Sequence, residues 1–153
     1  MIDERVLGCL DVRVGGGFRP PKATLIITQY RVVLAQRTKP LEEAHKATYG
    51  GGGGLFSRGP KGPEFVDRYL TIAPDTALAE TPGNTMLVWQ QLQMVDVFQS
   101  DQPGDEDSVP THYLVVRFIG PGVKLELTAY PPYPPVPVVR DALRQGFGGL
   151  VRG

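Results

Sequence analysis

A single cysteine, Cys9, is the first scarcity in this 153-residue chain. It excludes an internal disulfide framework, so the fold rests on burial and hydrogen bonding. Histidine is almost as rare: His45 and His112 are the two. With Cys9 they give no ligand spacing for a metal site, which needs about three or four converging donors. No run of about 18 apolar residues occurs, so no helix is expected to span a bilayer. The opening MIDERVLGCLDVRV begins with acidic residues and has no basic stretch ahead of an apolar block. A secretory signal is therefore not expected, and a reducing cytoplasm is the expected setting. Basic charge is also missing locally: from Tyr69 to Val116 there are seven acidic residues and no Lys or Arg.

What is present is a globular composition, 41% hydrophobic and 21% charged, at a length suited to one domain over 1–153. Net charge is zero, yet from Asp11 to Lys61 nine basic residues face three acidic ones. Such asymmetry gives one surface an anion-attracting potential or simply two solvated faces. The 19 glycines and 15 prolines cluster, and so mark loops.

Period-two alternation predicts seven strands. In residues 5–14, Val6, Leu10, Val12 and Val14 share one side, and Arg5, Asp11 and Arg13 the other. GGGFRPPK (15–22) breaks that ladder. ATLIITQYRVVLAQRT (23–38) supplies two more strands around a corner at Gln29–Tyr30. A helical insertion over 40–80 follows the third strand. Pro40 suits a first helical turn, Gly50 a stop, and Pro63 a second start, with Phe65, Tyr69 and Ile72 on one face. Within it, five consecutive glycines (50–54) open a Gly-rich loop, 50–62. Strands resume at 86–89, 92–98, 112–119 and 123–129, the last two joined by a tight GPG turn. YPPYPPVP (130–137) then leads to a helix over 137–147, with Gly146 expected to stop it. The expected fold is mainly β with added α: a partly open barrel of seven strands, a helical insertion after strand 3, and a C-terminal helix capping the mouth.

This order of elements resembles the PH-like superfold, including its GRAM and bacterial PH-like branches. The resemblance rests on ATLIITQYRVVLAQRT, where an apolar strand ends in Thr and an Arg opens the next, and on VPVVRDALRQGF as the closing helix. RYLTIAPDTALAETPGNTMLVWQQLQMVDVF is similar to the segment of some prokaryotic PH-like proteins where a helical insertion returns to the sheet. The resemblance implies a binding or scaffolding module, since the fold hosts lipid, peptide and protein ligands. It also implies an anion site in the first inter-strand loop, at Arg19 and Lys22 with Arg13 at its near edge. Two or three cations beside a glycine loop can hold a phosphate by charge-assisted hydrogen bonds, although Pro20 and Pro21 remove two amide donors.

Other chemistry is set aside on its residues. GLFSRGPKG (54–62) lacks the Gly-Lys-Ser/Thr order of a phosphate loop, because Pro60 intervenes and no hydroxyl follows Lys61. Cys9 in a strand packs as a small hydrophobe. The carboxylates at 101–107 lack calcium-loop spacing. Asp96, between Val95 and Val97, points to solvent or meets an Arg from the opposing ribbon. YPPYPPVP reads as a spacer, lacking the full Pro-Pro-x-Tyr order of a docking motif. The expectation is a non-enzyme without cofactor, metal or nucleic-acid partner. Its leading function is protein–protein interaction, through the Gly-rich insertion with Arg58 and Lys61 or through an exposed sheet edge. The alternative is peripheral recognition of anionic lipid headgroups through the basic loop 15–23.

Overall fold

Ala23–Thr28 is apolar or β-branched at every position, and a strand without alternation needs cover on both faces. The computed structural model, which describes residues 4–15, 20–49, 65–102, 111–131 and 133–152, shows how that cover arises. The strands are β1 (Val6–Val14), β2 (Lys22–Thr28), β3 (Arg31–Gln36), β4 (Thr85–Val88), β5 (Met94–Gln102), β6 (Thr111–Gly120), β7 (Val123–Ala129) and β8 (Val151–Arg152). They form one sheet in the order β4-β3-β2-β1-β7-β6-β5-β8. Every neighbouring pair is antiparallel except β5 and β8. The architecture is thus mainly β with added α. Among the described residues it has eight strands where the alternation predicts seven, because the two residues of β8 are too few to show a period. No ladder joins β4 to β8, so the sheet is not closed.

The inner face gathers Leu10, Leu25, Ile27, Val32, Val95, Val97, Leu114, Val116, Phe118 and Leu127 into one buried cluster. Helix α3 (Val136–Phe147) lies against it through Val139, Leu143 and Phe147, and the Phe118 and Phe147 rings meet edge-on at 6.3 Å. The helix passes through Gly146, the residue at which the sequence predicts a stop, and ends at Gly148, whose φ is 52°. Gly146 serves close approach: a Cβ there would stand 2.8 Å from the Thr28 carbonyl oxygen in the β2–β3 turn.

A second, smaller cluster covers the outer face of β2 and β3. Helix α1 (Lys39–Tyr49), a 3₁₀ turn (Phe65–Leu70) and α2 (Pro74–Glu80) lie between β3 and β4 in sequence. Tyr69 and Ala77 of this segment are buried with Ile26, Val33 and Ala35. Phe65–Leu70 is 3₁₀ where the spacing of Phe65, Tyr69 and Ile72 predicts an α-helix, yet Tyr69 and Ile72 still face the cluster. β1 departs from strict alternation as well. A bulge between Val6 and Gly8 inserts one residue, so Leu7 packs on the inner cluster and Val6 and Cys9 on the outer one. Val6 therefore does not share a side with Leu10. Between β6 and β7, Pro121–Gly122 makes a two-residue corner in which Gly122 takes φ 70°, the geometry of a type II turn with Pro leading. Among the described residues no helix is long and apolar enough to cross a membrane.

Candidate functional site

The register of three ladders sets one row of side chains across the outer face. Arg13 of β1 stands opposite Lys22 of β2 on one side and Thr128 of β7 on the other. Arg37, one residue beyond β3, donates its backbone N–H to the Lys22 carbonyl at 3.1 Å and continues the row. These residues, with Asp11, Val12 and Tyr130, line a cleft of about 170 Å³. It lies where β1 and β7 share just two register pairs, Arg13 with Thr128 and Val14 with Leu127.

The cleft carries three cations against one carboxylate. Arg37 is the one engaged by acids: its Nη1 is 3.1 and 3.2 Å from the two Asp11 oxygens, and its Nε is 2.8 Å from Oε1 of Glu42. The Arg13 guanidinium lies 5.5 Å from the centroid of the Tyr130 ring, which is backed by Tyr113 at 6.0 Å. Among the described residues neither Arg13 nor Lys22 meets a carboxylate. Like charges directly opposite on an antiparallel pair destabilise it, so this arrangement is costly without a counter-charge. An anion in the cleft would supply one, by charge-assisted hydrogen bonds from Arg and Lys.

The structure thus brings Arg13 and Lys22 together, adds Arg37, Thr128 and Tyr130, and leaves Arg31 elsewhere. Arg31 sits at the opposite end of β3, held by Glu4 at 2.8 Å and Asp75 at 2.6 Å. Those bonds, Glu4 foremost, raise its pKa further above an already high value. Arg19, Arg58, Lys61 and the Gly-rich loop lie outside the described residues. The two-residue turn at Gln29–Tyr30 fixes the β2–β3 register, so Arg37 beside Lys22 was recoverable from the sequence by counting back from that turn. Tyr130 and Thr128 were not, because the β1–β7 pairing joins distant parts of the chain.

Other reactive groups have structural partners. Cys9 packs in the outer cluster, where burial, and then the nearby Asp67, push its thiol pKa up to about 12. It is therefore a protonated thiol near neutrality, not a nucleophilic thiolate. His112 pairs with Asp101 at 2.5 Å on an exposed stretch. Asp96 is half-buried, with Arg117 and Arg152 beside it in register. No three His, Cys, Asp or Glu side chains among the described residues gather as metal ligands. No family model, curated protein or solved structure matches this chain.

Proposed function

We propose that the chain is a non-catalytic binding module of the PH-like type that recognises a phosphate-bearing anion at the row Arg13–Lys22–Arg37. The order of strands, the helix against the inner face and the helical segment after β3 support the PH-like reading. The observation that carries the function is Arg13 opposite Lys22 with no carboxylate at either among the described residues, and Arg37 next in line. The shared ligand chemistry is a multiply charged phosphate, whether on a lipid headgroup or free in solution. Titration with inorganic pyrophosphate tests the free form. Flotation with phosphatidylcholine vesicles, with and without phosphatidylinositol bisphosphate, tests the lipid form. Binding in either arm that falls at least tenfold in the doubly substituted Arg13→Ala, Lys22→Ala protein supports the reading. No binding in either arm, or binding indifferent to the substitutions, overturns it.

A second reading, interaction with another protein, draws on a different surface. β4 is a terminal strand of the sheet, and Met86 within it and Trp89 just beyond it are 42% and 52% exposed. Tyr30, 40% exposed, sits at the same end, next to Arg31, which pairs with Val88. An open edge flanked by large apolar groups suits strand addition by an extended segment. Loss of a specific co-purifying protein on Met86→Lys with Trp89→Ala would favour this reading, and unchanged recovery would end it.

A further inference from the structure

The ion pair between Arg37 and Glu42 joins the cleft to the helical segment and has no part in the row itself. Arg37 has carboxylates from two different kinds of support. Asp11 comes from β1, whose backbone is fixed in a ladder on both sides at this end. Glu42 comes from the first turn of α1, capped by Thr38 through its hydroxyl to the Leu41 N–H at 3.4 Å and its carbonyl to the Glu42 N–H at 3.0 Å. Leu41 packs α1 on the outer cluster, whereas Glu42 in the same turn reaches over to Arg37. Of the two acids, Glu42 is the one free to withdraw without disturbing a ladder.

We propose that Glu42 is a built-in competitor for the anion: its carboxylate pairs with the Arg37 guanidinium whose charge a bound phosphate would share, and anion binding releases the first turn of α1. This rests on the reading of the row as an anion site. Arg37 presents one planar fork of donors, and the cleft is small. A phosphate drawn in by Arg13 and Lys22 competes with the resident carboxylates for the Arg37 charge. Competition of this kind is a coupling free energy and is reciprocal. Whatever Glu42 takes from anion affinity, the anion takes from the anchoring of α1. Both side chains are about a quarter exposed, 26% for Arg37 and 28% for Glu42. The pair therefore has the modest strength of a partly solvated bridge, and its removal tightens binding by roughly twofold to fivefold.

The experiment uses the full chain, inorganic pyrophosphate and the same bisphosphate-containing vesicles, with Glu42→Gln compared against Glu43→Gln. Glu43 is exposed and next in sequence, so its variant removes the same charge without touching the Arg37 bond. The expected result is tighter binding in Glu42→Gln than in both wild type and Glu43→Gln. Pyrophosphate should also speed amide exchange over the first turn of α1 in wild type, and do so less in Glu42→Gln. If wild type binds but Glu42→Gln gains no more than Glu43→Gln, Glu42 is a structural tie and the competition is refuted. Ligand that slows exchange in α1 refutes it equally. If no variant binds either probe, the row is not an anion site, and the competition falls with it.

Discussion

At the scale of single residues, Cys9 shows how one burial changes what a group can do. Its thiol stands on the outer face of β1, packed with the cluster that includes Tyr69 and Ile26. A thiol moved away from water resists ionising, since the thiolate loses hydration that the cluster does not replace. The folded pKa is raised from 9.0 to about 12, by burial first and Asp67 second. The sign follows directly. The folded state holds this proton to higher pH than the unfolded one, so the stabilisation is whole below about pH 9 and is lost as pH rises toward the folded value. Denaturant midpoints of wild type and Cys9→Ala across this range check it. The advantage of wild type should shrink steadily above about pH 9 and stay constant below. A gap independent of pH would show that the thiol is solvated. Tyr69, raised to about 12 by burial and then by Glu80, titrates in the same range in both proteins, and the comparison cancels it.

At the scale of the element, the β2–β3 hairpin depends on one threonine and one arginine. The Thr28 hydroxyl accepts the N–H groups of Tyr30 at 3.2 Å and Arg31 at 3.1 Å, closing the turn from within. It lies 2.7 Å from Glu4 Oε2, and the same carboxylate takes Arg31 Nε at 2.9 Å and Nη2 at 2.8 Å. Glu4 therefore staples the approach to β1 onto the hairpin, whereas Asp75 reaches Arg31 from solvent with 85% of its side chain exposed. The two acids should weigh very differently. Glu4→Gln should cost about 1.5–3 kcal/mol, the range for bonds to a charged group. Asp75→Asn should cost about 0.2 kcal/mol, at the bottom of the range for surface pairs. Paired thermal melts give the ranking, and equal losses would contradict it. The hairpin is also where the sequence was most legible. An apolar run, a Thr, a two-residue corner and an Arg are local signals, and Leu25, Ile27, Val32 and Leu34 face inward as the alternation predicts. The bulge at Leu7 and the strand β8 were hidden, because each depends on a partner distant in sequence. The same holds for the candidate site: Arg13 and Lys22 were readable as flanks of a basic loop, while the β7 wall was not.

At the scale of the whole molecule, β2 is shared between two clusters of unequal reach. Leu25 faces the inner cluster, which takes residues from seven of the strands and from α3; Ile26, its neighbour, faces the outer one, formed with the segment between β3 and β4. Both side chains are fully buried, so truncation of either to Ala falls in the same range, about 2–5 kcal/mol. Their consequences for dynamics should nevertheless differ. Loss of Leu25 removes packing common to every part of the sheet, so it lowers the one cooperative barrier that protects α3 and the central strands alike. Loss of Ile26 removes the floor beneath Tyr69 and Ala77, and what it loosens first is their hold on β2 and β3. Regions with fewer buried contacts open at lower free energy than the global transition, and the outer cluster is the smaller of the two. Native-state hydrogen exchange on the two variants separates these effects. In Ile26→Ala, amides of the 3₁₀ turn and α2 should exchange well before those of α3. In Leu25→Ala, protection should fall together in α3 and the strands. If Ile26→Ala lowered protection in α3 as much as in α2, the two clusters would be one cooperative unit. A loosening confined to the outer cluster would instead place the structural freedom beside Arg37 and α1, where the competition between Glu42 and a bound anion requires it.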